Sequence, residues 1–156
     1  MVQPLVIWCV SDSKPGHRSQ LLGLVEALQR RMSVDVTWIN RRHAYRWRPA
    51  PSCRRPTLIL AAGHHTHLPS LWLRSRFGGR LVVLMKPSLP RSLFDLCVVP
   101  EHDDVPPSGR VITTCGTLND ILPAQSVRKD TGLIMIGGAA RRFDSNSAAV
   151  VSQIEQ

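Results

Sequence analysis

The feature that most constrains this chain is a series of short, nearly all-apolar runs separated by helical patterns or long connections. Leu5–Val10 is the first run. Val34, Val36 and Trp38 alternate in a second, and Thr57–Ala62, Leu81–Met85, Leu96–Val99 and Val111–Thr114 continue the series. A seventh, Gly132–Ile136, leads into Gly137-Gly138 and a helical stretch near Ser147–Ile154. Runs of this length and apolarity suit strands buried on both faces, which are the strands of parallel sheets. Between the first two, Leu21, Leu24, Val25, Leu28 and Met32 fall at helical spacing, and Pro15 suits the first helical turn, where a missing N–H costs nothing. His64–Phe77 reads as a helix with its LPSLWL segment on the buried side, ended by Gly78-Gly79. The pattern predicts an α/β fold: a doubly wound, mainly parallel, Rossmann-like sheet with helices on both faces.

The expected organisation is a Rossmann-like domain over residues 1–125, a linker over 126–131, and the first strand, turn and helix of a second domain over 132–156. The Pro- and Arg-rich segment Arg41–Pro56 is a long connection inside the first domain.

At 156 residues and 43% hydrophobic content the chain has room for a sizeable core. Its formal charge of +9 is carried almost wholly by arginine, lysine occurring only at 14, 86 and 129. Such a balance favours anionic partners without saying which. No apolar run approaches a membrane span, and residues 1–10 lack the basic start of a signal peptide. Cys9, Cys53, Cys97 and Cys115 are scattered, which argues against a disulfide framework or a Cys-based zinc site. Cys9 and Cys97 read as core residues, and the expected compartment is the cytoplasm, with attachment at a membrane periphery left open.

In a parallel sheet the loops that follow the strands open on one edge. Here those loops are polar: SDSKPGH, GHHTH, KPSLP, PEHDD and TTCGTLND. Their convergence is the main functional signal. The first offers Asp12, Lys14, Gly16 and Gln20 as ligand contacts, at a helix start suited to an anion, and His17 as a general base. A plain capped helix is the competing reading. The loop is not a dinucleotide fingerprint, because G-x-G-x-x-G is absent. The second loop offers Gly63 and Thr66 for backbone and hydroxyl contacts. Its histidines invite a metal, but no third ligand is placed by the sequence, so neither metal nor cofactor is expected. Lys86 and Ser88 follow the fourth strand. Glu101, His102 and Asp103 follow the fifth, where a carboxylate beside an imidazole can tune proton transfer or an acidic turn can simply be solvated. Gly116 and Asn119 follow the sixth.

The segment RRHAYRWRPAPSCRR carries Arg41, Arg42, Arg46, Arg48, Arg54 and Arg55 with no acidic residue, and interleaves Tyr45 and Trp47. Anionic lipid, single-stranded nucleic acid and plain solvent are the three readings of such a loop.

Taken in order, SDSKPGHRSQ, AAGHHTHLPSLWLR, VVLMKPSLP, FDLCVVPEHD, ITTCGTLN and LIMIGGAARRF are similar to the mitochondrial fission Elm-type family, from the first strand to about residue 144. The family resembles a GT-B architecture, two Rossmann-like domains facing a cleft, the first holding the acceptor and the second a nucleotide-sugar. Its motif near Asp12 is similar to D-G-K-P-G-H-x-N-Q. Asp12, Lys14, Pro15, Gly16, His17 and Gln20 match. Ser13 replaces the glycine, which argues against a positive φ there, and Ser19 replaces an amide. The Gly16-His17 pair also resembles the place of the base histidine in glycosyltransferases of cell-wall lipid precursors.

The resemblance implies the N-terminal, acceptor-side part of a nucleotide-sugar-dependent glycosyltransferase, inactive alone because most of the donor site is missing. His17 is the first candidate for the base and Asp103 the second. Gly137 and Gly138 are the trace of the donor loop. The expected partners are a nucleotide-sugar donor and an acceptor, with an anionic membrane surface at the Arg41–Arg55 loop; nucleic acid is not expected. The rival readings are a protein-binding adaptor of the mitochondrial fission type and a basic nucleic-acid-binding domain.

Overall fold

The computed structural model describes residues 3–122 and, beyond them, only positions 130 and 152. The chain divides into two units at Leu122, and the fold described here belongs to the first, Met1–Leu122.

Six strands form one sheet in which every neighbouring pair is parallel. They are β1 (Leu5–Ser11), β2 (Val34–Asn40), β3 (Leu58–Ala62), β4 (Arg80–Leu84), β5 (Leu96–Pro100) and β6 (Val111–Thr114). Their order across the sheet is β2-β1-β3-β4-β5-β6. Trp8 of β1 lies beside Thr37 of β2 on one side and Ile59 of β3 on the other. The two long helices are α1 (Pro15–Gln29), joining β1 to β2, and α2 (His67–Phe77), joining β3 to β4. Every strand expected from the sequence over the described residues is present, with ends moved by a residue at most in β1, β3, β4 and β5.

Strict alternation along the strands builds two apolar layers. Val6, Trp8, Val10, Ile59, Ala61, Leu81, Val83, Cys97 and Val99 face one side, with Leu73 of α2 and Phe94. Ile7, Cys9, Leu60, Ala62, Val82 and Leu84 face the other, with Leu21 and Val25 of α1. Helices therefore cover both faces. Each fully buried Ile or Leu contributes about 1.5–3 kcal/mol. The half-exposed pair Arg74–Asp95, at 3.2 Å, belongs to a class worth about 0–1 kcal/mol. Apolar burial holds this fold together.

The faces are covered unequally. The connection after β2, the long α2, and the loops after β4 and β5 all pack on the first layer through Ala44, Trp47, Cys53, Leu89 and Val105. Trp8 anchors this side, edge-on to Trp47 at 6.2 Å and to Phe77 at 5.1 Å. The Pro- and Arg-rich connection is thus a packed crossover. The second layer has α1 and, after β6, a returning segment that places Leu118 on it. Ile112 of β6 is left 51% exposed on that side. Two expectations change. Leu68, read as buried, is 61% exposed, because His67, Pro69, Ser70 and Leu73 form the inward face of α2. Met32, read as the end of the α1 stripe, lies beyond the helix and is 49% exposed. Among the described residues no helix is long and apolar enough to cross a membrane.

The returning segment docks tightly. A Cβ at Gly23, midway along α1, would collide with the backbone carbonyl of Asn119. Ser19 Oγ donates to Asp120 at 2.5 Å on the same helix. Replacing a mid-helix glycine by alanine ordinarily stabilises by about 0.8–1 kcal/mol. We expect Gly23→Ala to lower stability instead, in urea denaturation, because the segment must lift away. A more stable Gly23→Ala protein would show that the segment does not sit against α1.

Candidate functional site

The strand order reverses between β1 and β3. The chain leaves β1 toward β2 on one side, and leaves β3 toward β4 on the other. In open α/β sheets this is where the loops part and a ligand crevice forms. The loop after β1 and the loop after β3 meet here. Gly63 takes φ +88° and presents no side chain, and the His17 ring occupies the space a Cβ would need. His17 reaches this place because Pro15 starts α1 just ahead of it.

His17 is oriented by Asp12. Both carboxylate oxygens lie 3.0 Å from His17 Nδ1. The Asp12 side chain is only 2% exposed and that of His17 15% exposed. Burial pushes the Asp12 carboxyl up. The hydrogen bond from the Lys14 backbone N–H, the His17 hydrogen bond, and the charges of His17 and Lys14 outweigh it and hold the group below the usual carboxylate range. An ionised Asp12 can only accept, so Nδ1 carries a proton and, in the neutral ring, Nε2 is left with the lone pair. Among the described residues Nε2 has no hydrogen-bond partner. The pair can therefore hold an imidazole in one tautomer with a basic nitrogen free, which is the arrangement a general base requires.

The edge around this pair is built from sharp turns. Among the described residues, Ser13, Met85 and Asp104 are the non-glycine residues with positive φ, at 68°, 75° and 47°. Each follows the C-terminal end of a strand or its terminal turn. Such residues cost roughly 1–3 kcal/mol each and persist only where their surroundings hold them. Ser13 keeps the positive φ that loss of the family's glycine argued against. It is held by its N–H donating to Ser11 Oγ at 3.1 Å and by Asn40 Nδ2 donating to Ser13 Oγ at 3.0 Å.

The remaining sequence candidates divide by what they touch. Lys14 is exposed, and its N–H donates to Asp12 Oδ1 at 3.1 Å. Gly16 faces open space: among the described residues nothing lies within 4 Å of where its Cβ would be. Gln20 is buried and Nε2 donates to Met85 Sδ at 3.1 Å, tying α1 to the end of β4. Lys86 N–H donates to Asp103 Oδ2 at 3.2 Å and Lys86 Nζ to the Asp103 carbonyl at 3.0 Å. Asp103 thus clasps the loop after β4, and its carboxylate is occupied by a backbone amide. Lys86 also lines a depression of about 300 Å³ with Leu89, Pro90, Arg91 and Asp104. Glu101 and His102 are exposed in a one-turn 3-10 helix.

Thr66 is fully buried, and its hydroxyl donates to the carbonyls of Ala62 and Gly63, at 3.3 and 2.6 Å, so it builds the turn. Ser88 Oγ pairs with His67 Nδ1 at 3.2 Å. Gly116 accepts through its carbonyl from Thr114 Oγ1 at 2.7 Å, and Asn119 serves the segment docked on α1. Gly137 and Gly138 lie outside the described residues.

Sequence reasoning passed over Asn40 and Met85. Asn40 ends β2 on the same edge as the polar loops, a signal that was present. Met85 carries no such signal, since nothing in its side chain announces a positive φ. Cys9, on the strand that leads to this site, offers no nucleophile: burial pushes it up to about 12, against the opposing charge of Arg18.

The family described as "Mitochondrial fission ELM1" matches residues 15–156. A curated relative, the uncharacterized protein RP120 of Rickettsia prowazekii (strain Madrid E), is 22% identical over 175 residues, covering 96% of this chain and 49% of that protein. The chain therefore spans about half the length of this relative. No solved structure matches the chain at a significant level. The match over most of its length shows that the chain belongs to the mitochondrial fission ELM1 family.

Two outcomes follow from this geometry. Gly63→Ala strains a positive-φ residue and drives a methyl group into the His17 ring. It should cost roughly 1–3 kcal/mol in urea denaturation and shift the His17 ring signals in NMR spectra; unchanged signals would show that the ring does not rest on Gly63. Separately, burial first, and then the charge of His64, hold His67 below the usual histidine range. The unfolded chain protonates this group near pH 6.5 and the folded protein resists it. His67 therefore contributes stability that is complete above about 6.5 and is lost as pH falls through its lower folded-state value. Thermal melts should show Tm falling below about pH 6.5, and a shallower fall in His67→Gln. An identical profile in that variant would contradict the assignment.

Proposed function

We propose that this member of the mitochondrial fission ELM1 family is the acceptor-binding part of a GT-B-like glycosyltransferase, with His17 as the base that deprotonates an acceptor hydroxyl. One observation carries the reading: an ionised Asp12, its side chain 2% exposed, holds His17 where the sheet order reverses, and among the described residues Nε2 has no hydrogen-bond partner. Asp12 orients the ring and stabilises the imidazolium formed when Nε2 takes the proton. Asp103, the other candidate base, is the weaker one because it accepts the Lys86 amide. The glycosyl donor and its leaving diphosphate need further cationic or N–H groups. In this reading they come from the half of the enzyme that the 156 residues do not span. The similarity in motif order to a family whose pattern resembles a GT-B architecture supports the assignment, as does a parallel sheet whose polar loops share one edge.

The reading has two consequences. Alone, the chain should release no nucleotide from a panel of nucleotide-sugars, because positioning that supplies roughly 7–11 kcal/mol of a barrier is missing. Joined to a donor-binding half, it should turn over, and His17→Ala should lower kcat by about 10²–10⁴-fold with the donor KM little changed. Turnover that survives His17→Ala would remove the base from this position.

A further inference from the structure

Beside the Asp12–His17 pair, the same edge holds a second group of side chains that the reaction above does not use. Arg41 and Arg42 follow β2. His64 and His65 follow Gly63, their rings 3.8 Å apart. Together with Tyr45, Leu68 and Pro69 they line a depression of about 330 Å³. No acidic residue lines it. Among the described residues the ion pairs are His17–Asp12 and Arg74–Asp95, so neither Arg41 nor Arg42 has a carboxylate partner. Their backbones are fixed: Arg41 N–H donates to the Ser11 carbonyl and Arg42 N–H to Asn40 Oδ1, each at 2.9 Å. The opposite wall is apolar and open. Tyr45 is 50% exposed and stands edge-on to Trp72 at 5.8 Å.

We propose that this depression binds an organic phosphate, its phosphoryl oxygens held by Arg41, Arg42 and the two histidines, and its organic part lying against Tyr45 and Leu68. Two guanidinium forks match several oxygens of one phosphate, where a carboxylate would satisfy a single fork. The electrostatics of His65 agree. The charge of His64 first, then burial, then the charges of Arg41 and Lys14 hold His65 below the usual histidine range, with Asp12 the one group opposing them. These are the charged groups acting on it, from its own turn, the end of β2 and the loop after β1. An anion seated among them would reverse the balance and favour the protonated ring. The site concerns binding and stands whether or not group transfer takes place next to it.

The phosphate could belong to a soluble sugar phosphate or to a lipid headgroup, and the test separates the two. The purified chain is titrated by calorimetry with glucose 1-phosphate and with inorganic phosphate. It is also sedimented with phosphatidylcholine vesicles, with and without phosphatidic acid. NMR follows the His64 and His65 rings against pH. Binding is expected to raise the His65 titration midpoint. Arg41→Ala/Arg42→Ala should weaken binding at least about tenfold, since charge-assisted hydrogen bonds are lost. Arg54→Ala/Arg55→Ala removes the same charge from the same connection outside the depression and should change binding less than about twofold. Arg41→Lys/Arg42→Lys keeps charge without the forks and should fall between, which guards against a folding defect in the alanine pair. Binding of the soluble phosphates assigns a free ligand; binding to phosphatidic acid vesicles alone assigns a headgroup. The proposal is overturned if no probe binds, or if the Arg54/Arg55 pair weakens binding as much as the Arg41/Arg42 pair.

Discussion

Parallel strands can be joined only by crossovers, and crossovers from right-twisted strands are right-handed. In this sheet the chain moves one way from β1 to β2 and the other way at every later step. Handedness then puts α1 on one face and all the later connections on the opposite face. The two apolar layers and their unequal cover follow, including the exposure of Ile112 at the far edge. So does the reversal of strand order between β1 and β3. The position of the candidate site is a consequence of chain direction, and the residues in it are free to specialise.

What specialises them is a set of links running across the strand ends. Asn40 of β2 holds Ser13 after β1. His17 rests on Gly63 after β3. Gln20 reaches Met85 after β4, and Lys86 is clasped by Asp103 after β5. Three of these links join neighbouring strands and Gln20 reaches over β3, and the backbone turns with positive φ that they support lie between them. Polar contacts of this kind add little net stability, about 0.5–1.5 kcal/mol each. Their effect is to fix positions. The core supplies the energy and the edge supplies the geometry.

The fold was legible because parallel strands need continuous apolarity and helices need a 3.6-residue stripe, and both patterns survive in the bare sequence. Leu68 and Met32 escaped because a stripe does not say where a helix begins or ends. The first α2 turn starts at His67, so the inward face is shifted by a residue. The site was legible as a set of loops sharing an edge. Asp12 and His17 can each be named in the first loop, Asp12 as a ligand contact and His17 as a base, but their pairing across the Pro-started helix appears only in the structure. The part Thr66 plays in its own turn was not legible. A threonine in a polar loop looks the same whether its hydroxyl faces solvent or caps its own turn, and only the tertiary position of Ala62 and Gly63 decides. The Arg41, Arg42, His64 and His65 grouping was hidden for a related reason: its halves lie 22 residues apart in sequence, from position 42 to position 64, and meet through the adjacency of strand ends.

The central claim is that Asp12 fixes the tautomer of His17 and leaves Nε2 as the basic atom. Long-range ¹H–¹⁵N spectra of the histidine rings read this directly. With the His17 ring neutral, the account predicts a proton on Nδ1 and a bare Nε2, with that preference lost in Asp12→Ala. A proton found on Nε2 in the unsubstituted protein would contradict it.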